Sequence, residues 1–203
     1  MKWYCNCGKL SHEMILRVLR DISCYFNRYA LDGFIVGILG MLLYGCIFIY
    51  RDSKNTFFLN DIKKYLYRNI PQYVSSFLLC AYLYIMASIA LLSRREKKID
   101  KIDFSYWGAG LSTQMNRAFF VENIIMFIPL GIFFPLCFKK ADNPYFMLLV
   151  GFCGSLLIET TQYIAKWGRF EIVDLWTNTL GAILGWCCYR IVRKIITVLT
   201  SNK

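Results

Sequence analysis

Long apolar runs, separated by short charged segments, are the main pattern along this chain. Residues 33–50, 73–93 and 124–138 contain no charged side chain, and residues 145–165 and 172–189 contain one each. A helix needs about 20 apolar residues to cross a bilayer core of roughly 30 Å. The pattern therefore predicts an all-α integral membrane protein, a bundle of about five transmembrane helices.

The N-terminal segment has a different pattern. Ile15, Leu19, Ile22 and Phe26 recur at helical spacing, with basic residues on the other faces. This predicts a basic amphipathic helix that lies in the membrane interface, and a solvated helix beside the membrane is the alternative. The basic segment between the first two spans has a similar pattern.

These patterns divide the chain into four parts. They are a basic amphipathic N-terminal segment (1–31), a first transmembrane helix with a basic interfacial loop (32–71), a four-helix membrane domain (72–190) and a basic C-terminal tail (191–203).

Composition and charge fit a membrane protein. Of the 203 residues 57% are hydrophobic, and 24 Lys and Arg stand against 13 Asp and Glu. Because the basic residues flank the apolar runs, we expect membrane lipids as partners and no nucleic acid. They divide almost evenly between the two predicted sides, so the charges do not determine orientation.

The cysteines do not predict a metal site. Six of the nine lie in or at the ends of the apolar runs, where they serve as small apolar residues: Cys46, Cys80, Cys137, Cys153, Cys187 and Cys188. Cys5 and Cys7 form a CxC, which is not the usual zinc spacing, and His12 is the only histidine. We predict no metal and no cofactor.

Polar and small residues form a stripe on each of the last two spans. The stripes are Gly151, Ser155, Glu159 and Gln162, and Asp174, Asn178, Gly181 and Gly185. A seven-residue connection predicts an antiparallel hairpin. At 1.5 Å per residue, Ser155 and Asn178 both lie about 10 Å from the turn ends of their stripes, and Gly151 and Gly185 about 16 Å. We therefore expect the stripes to pack on each other, small residues against small residues.

Chain connectivity brings further polar residues to the turn end of this hairpin. The third span runs opposite to the fourth, so Glu122 and Asn123 at its start lie on the same membrane side. With them the expected polar cluster is Asn123, Glu159, Gln162, Arg169, Asp174 and Asn178. Ionisable residues inside spans often mark functional sites.

Each cluster member also has a structural interpretation. Asn123, Gln162 and Asn178 are suited to interhelical hydrogen bonds, and Asp174 to a helix N-terminus. Glu159 is the deepest acid, and should pair with Arg169 or hold its proton. Pro129 is expected to kink the third span.

Three ordered motifs resemble the VanZ-like membrane proteins. They are VENIIMFIPLG, with Asn123, Phe127, Pro129 and Gly131; GFCGSLLIETTQ, with Ser155, Glu159 and Gln162; and GRFEIVDLWTNTLGAILGW, with Arg169, Asp174, Asn178, Gly181 and Gly185. The resemblance covers roughly residues 73–189.

The resemblance implies a multi-pass protein of the bacterial cell membrane with an envelope role. The founding member of the family is associated with glycopeptide resistance, chiefly to teicoplanin. Three hypotheses follow. The polar cluster forms a pocket for a lipid-linked envelope precursor or the acyl-bearing glycopeptide; Glu159 and Asp174 share acid and base work in an intramembrane enzyme; or Glu159 carries protons in a small transporter.

Overall fold

The computed structural model describes residues 4–52, 59–92, 102–103 and 114–201, with side chains at 12–47, 50, 70–91, 117–138 and 141–201. This part of the chain holds five α-helices: α1 (Tyr4–Asp52), α2 (Leu59–Ala87), α3 (Gln114–Cys137), α4 (Pro144–Ile164) and α5 (Ile172–Ser201). A π-helical turn, Ser88–Leu92, extends α2, and a 3₁₀ turn, Lys139–Asp142, precedes α4. The two-residue strands β1 (Ile102–Asp103) and β2 (Phe170–Glu171) pair in parallel.

Within the residues that the structure describes, four helices are long and apolar enough to cross a membrane: His12–Ile47, Ile70–Leu91, Arg117–Cys137 and Pro144–Ile164. The predicted all-α membrane-type bundle is confirmed. Helix α5 is not among these four, because polar residues interrupt its first half. Asp174, Thr177 and Asn178 are all buried inside the bundle, so the residues that lower its hydropathy face protein rather than lipid.

Helix α1 joins two parts that the sequence pattern separated. The amphipathic segment and the first span form one continuous helix of 49 residues, since no proline interrupts it. Helix α2 likewise begins at Leu59 and runs through Pro71, so much of the predicted interfacial loop is helical. The side chains of 59–69, and those of Cys5 and Cys7, lie outside the described residues.

Helices α1 and α2 pack antiparallel through glycines on α1. A Cβ on Gly33 would lie 2.8 Å from Ile85 Cγ1, and one on Gly45 would lie 3.2 Å from Tyr73 Cε1. Later residues of α1 therefore meet earlier residues of α2. The first half of α1 consequently lies beside the end of α2.

Helix α5 packs between α3 and α4, and this corrects one expectation. Gly151 of α4 does meet α5, where its Cβ would lie 2.8 Å from Ala182 Cβ. Gly181 and Gly185, however, face α3, with the carbonyl oxygens of Ile124 and Ile128 against them. The small residues of α5 thus lie on two faces rather than one, because two neighbours approach this helix closely.

An ion-pair cluster attaches the exposed half of α5 to the connection between α3 and α4. Arg190 Nη1 donates to Asp142 Oδ1 at 2.7 Å, and Arg193 Nη1 to Oδ2 at 2.6 Å. The hydrogen bond from Arg190, with the positive charge of both guanidiniums, holds the pKa of Asp142 below its usual range. These two hydrogen bonds therefore attach the turn before α4 to the second half of α5.

We expect Asp142→Asn to lower the melting temperature modestly, by about 2 °C at neutral pH, because half-exposed ion pairs contribute little. The carboxylate pKa is depressed in the folded state, so its contribution is complete above the unfolded value of about 3.9 and is lost as the pH falls through the lower folded value. Thermal unfolding in detergent at pH 7 and pH 3 measures this. A wild-type advantage that persists undiminished at pH 3 would contradict it.

Candidate functional site

Five of the six residues of the predicted polar cluster, all except Arg169, line a cavity of about 400 Å³ between the five helices. This volume is within the range of about 300–1,000 Å³ that is typical of small-molecule sites. The polar lining residues are Glu122, Asn123, Glu159, Gln162, Asp174 and Asn178. The apolar wall includes Ile22, Phe26, Tyr82, Met86, Phe119, Ile125, Met126 and Pro129. The cavity is thus amphipathic.

Glu159 connects α4 to the strand before α5. It is 1% exposed, and its Oε2 accepts a hydrogen bond of 2.9 Å from the backbone N–H of Glu171. Glu171 in turn pairs with Asp103 in the short parallel sheet. A hydrogen bond to a carboxylate favours its charged form, so this contact provides partial compensation for burying the acid.

Gln162 ties α4 to the end of α2. Its Nε2 donates to the carbonyl oxygen of Ala90 at 2.9 Å, within the π-helical turn Ser88–Leu92. The turn after α4 folds back on the same residue, since the N–H of Trp167 donates to the Gln162 carbonyl oxygen at 2.9 Å. Gln162 therefore forms an interhelical hydrogen bond, as its structural interpretation predicts. Its side chain also lines the cavity.

A chain of hydrogen bonds joins the two stripes. Asn178 Nδ2 donates to Ser155 Oγ at 2.9 Å, and Ser155 Oγ donates to the carbonyl oxygen of Asp174 at 3.3 Å. Ser155, which the sequence placed among the packing residues, is therefore a polar link between α4 and α5. Its position fixes the rotation of Asn178 toward the cavity.

Two buried amide atoms at the cavity have no hydrogen-bond partner among the described residues. They are Nδ2 of Asn123, a donor, and Oδ1 of Asn178, an acceptor. Asn123 is 6% exposed and Asn178 is 2% exposed. A buried polar group without a partner costs about 1–3 kcal/mol, and a ligand or water in the cavity would satisfy both.

Arg169 is placed differently from the other predicted residues. It is exposed and does not line the cavity. It precedes β2 in the turn beyond α4, rather than on either helix. Lys166 in this turn has a φ of 57°, in the left-handed region.

Helices α1 and α2 contribute residues that the sequence did not assign to the site. Ile22 and Phe26 of α1, and Tyr82 and Met86 of α2, line the cavity. Pro129, predicted only to kink its helix, lines it as well. The apolar face of the amphipathic segment is the signal that could identify the α1 residues, but the same pattern also fits a helix in the membrane interface.

Comparison with known proteins identifies the family. The model of the VanZ/LLP1 family matches residues 33–193. The chain belongs to the VanZ/LLP1 family. The resemblance carried by the three motifs is thereby confirmed. Together with the four membrane-capable helices among the described residues, family membership indicates a membrane protein.

The chain is similar to Protein VanZ of Enterococcus faecium. The two are 35% identical over 75 residues, which cover 36% of this chain and 45% of that protein. The match thus spans less than half of its relative. No solved structure matches the chain significantly.

Proposed function

We propose that this chain is a multi-pass protein of the bacterial cell membrane that lowers susceptibility to teicoplanin-type glycopeptides. Membership of the VanZ/LLP1 family and the identity to Protein VanZ support this role. In this proposal the cavity is the working site and holds the polar group of a membrane amphiphile. The main observation behind this proposal is that one cavity has both buried polar residues and an apolar wall that reaches the outside of the bundle.

The exposure of the apolar wall supports entry from the lipid phase. Phe26 of α1 is 59% exposed and Phe119 of α3 is 38% exposed, although both line the cavity. These side chains would meet acyl chains in a bilayer. An amphiphile can therefore place its head against the buried polar groups while its tail stays in lipid. A lipid-linked envelope precursor and an acyl-bearing glycopeptide both have this form.

Filling the cavity tests the proposal. Met126 lines it from α3, and Met126→Trp should occupy the space that the ligand needs. In a susceptible host, we expect wild type to raise the inhibitory concentration of teicoplanin, and Met126→Trp to return it to the value of the vector control. Membrane levels must be equal, and vancomycin is measured in parallel.

Leu136→Trp is the matched control, because Leu136 lies on the same helix, is exposed and does not line the cavity. It should protect as wild type does. Protection that survives Met126→Trp would refute the cavity as the working site. No protection by the wild type would refute the resistance role itself.

One observation favours a second candidate, an intramembrane enzyme. Glu159 and Asp174 line the same cavity, and two nearby carboxylates can divide acid and base work on a lipid-linked substrate. Mass spectrometry of extracted lipids would then show a species that depends on expression and disappears with Asp174→Asn. An unchanged lipid profile would count against catalysis and leave the binding role in place.

A further inference from the structure

We propose that the cavity selects amphiphiles whose polar head is a neutral carboxamide over those whose head is an ester. This inference rests on the proposed function, in which the cavity holds the polar group of a membrane amphiphile. It adds the chemical class of that group. Two buried asparagines, the register of their helices and the path to lipid each support it.

The two asparagines each have one amide atom that lacks a hydrogen-bond partner among the described residues. The atom on Asn123 is Nδ2, which can only donate, and the atom on Asn178 is Oδ1, which can only accept. Both side chains line the cavity and are more than nine-tenths buried. A head that lies against them must therefore supply one acceptor and one donor. Because both asparagines are uncharged, a neutral group meets this requirement.

The register of α3 and α5 places the two asparagines at similar depth. Gly181 of α5 lies against the carbonyl oxygen of Ile124 of α3, and the contact repeats four residues further along both helices. The two helices therefore run in the same direction. Asn178 is three residues before Gly181, and Asn123 is one residue before Ile124. The difference of two residues corresponds to about 3 Å along the helices, so one small polar group can contact both.

A carboxamide has the donor and the acceptor on adjacent atoms. Its carbonyl oxygen can accept from Asn123 Nδ2, and its N–H can donate to Asn178 Oδ1. An ester of the same shape keeps the carbonyl but has an oxygen in place of the N–H, which leaves the buried acceptor of Asn178 without a partner. A site that hydrogen-bonds an N–H rejects the analogue that lacks it.

Two other hydrogen-bonding groups bear on this choice. The hydroxyl of Tyr82 lines the cavity and also lacks a partner among the described residues, but a hydroxyl both donates and accepts, so it suits either head. An alcohol head could serve both asparagines only where one oxygen lies within hydrogen-bond distance of both amide atoms. The two adjacent atoms of a carboxamide span a larger separation, so we assign the site to an amide.

The apolar wall supplies the other half of the recognition. Ile22 and Phe26 on α1 and Ile125 on α3 line the cavity and are also exposed on the outside of the bundle. A small soluble amide gains little from these side chains, whereas an alkyl tail buries against them. Each methylene that the tail buries contributes to binding.

Three probes with twelve-carbon chains test the selection on the full-length protein in a non-ionic detergent: N-methyldodecanamide, methyl dodecanoate and dodecanol. Affinities are compared at equal mole fraction in the micelle, so that partition into detergent cancels. We expect the amide to bind more tightly than the ester by about tenfold, the effect of one buried acceptor left without a partner. Dodecanol should bind more weakly than the amide. N-methylacetamide, which has no tail, should bind far more weakly still.

Two substitutions of similar size should have different effects on these affinities. Asn178→Leu removes the acceptor for the N–H, so the amide should lose its advantage over the ester. Asn123→Leu removes the donor to the carbonyl that both heads share, so both should bind about tenfold more weakly and their ratio should stay. Thr179→Val is the matched control, because Thr179 is buried beside Asn178 on α5 and does not line the cavity. It should leave both affinities unchanged.

Equal affinity of wild type for the amide and the ester would overturn the inference, because water would then satisfy Asn178 Oδ1 with either head. Dodecanol binding as tight as amide binding would overturn the assignment to an amide, and tight binding of N-methylacetamide would overturn the role of the tail. Retention of the full preference by Asn178→Leu would also contradict the inference. The comparison of probes on wild type needs no variant.

The inference and the proposed function can fail separately. Equal affinity for the three twelve-carbon probes, abolished by Met126→Trp, would show an amphiphile site without amide selection, and only the inference would be wrong. Binding of no probe, together with protection that survives Met126→Trp, would refute both.

Discussion

Replacing Glu159 by Gln and Asp174 by Asn together is expected to abolish protection, so that the teicoplanin inhibitory concentration of an expressing host falls to that of the vector control. Both acids are buried, at 1% and 6% exposure, and both line the cavity. Burying a carboxylate in a membrane protein is costly, and a function at the cavity is a reason to keep it. In the proposed function the head of the amphiphile lies against these polar groups, and the double variant removes both carboxylates.

The two replacements should preserve the fold, because each keeps the size of the side chain and the hydrogen bonds described above. The side-chain oxygen of a glutamine at 159 can still accept the Glu171 N–H. Asp174 accepts from Ser155 and Thr177 through its backbone carbonyl oxygen, which the replacement does not change. Equal membrane levels and equal melting temperatures check this point. Glu13→Gln is the control for loss of an acid, and full protection by the double variant would contradict the prediction.

For the hairpin of α4 and α5, the depth of each polar residue along its helix could be predicted from the sequence. A constant rise per residue and a short connection placed Ser155 and Asn178 at the same depth, and the structure joins them by a hydrogen bond of 2.9 Å. The same reasoning brought Asn123 to the cluster from α3. Depth along a helix is a property of spacing alone, so the convergence of these residues could be predicted without a tertiary structure.

The partner of each helix face could not be predicted in the same way. Gly181 and Gly185 form a GxxxG, which marks close approach but not the helix that approaches. Gly151 was available on α4 and Gly131 on α3, and the structure places Gly185 against α3. Choosing between two small-residue partners depends on how three helices pack together, which no single spacing encodes.

The contribution of α1 was missed for a related reason. An apolar stripe such as Ile22 and Phe26 suits lipid and a protein wall equally well, because acyl chains and apolar side chains have similar polarity. Arg169 presents the opposite case. A turn residue has no helical phase, so connectivity predicts its membrane side but not the direction of its side chain.

The contact of α5 with α3 should be intolerant of a single methyl group. A Cβ on Gly185 would clash with the backbone carbonyl oxygen of Ile128 and would lie 3.1 Å from the Cα of Gly131. Both contacts are with the backbone of α3, which cannot move away without separating the two helices. We therefore expect Gly185→Ala to destabilise the protein by about 3 kcal/mol, at the upper end of the usual overpacking cost, against a total stability of about 5–15 kcal/mol.

Gly154→Ala is the matched control, since it makes the same chemical change in a membrane helix. A Cβ there would meet only Phe127 Cε1, at 3.7 Å, an ordinary contact distance. Because alanine favours the helix over glycine by up to about 1 kcal/mol, this variant should be neutral or slightly more stable. Thermal unfolding in detergent and the amount accumulated in membranes measure both. Equal stability of the two variants would mean that α3 and α5 can separate at little cost. The close contact of Gly185 with α3 would then contribute little to the packing around the cavity.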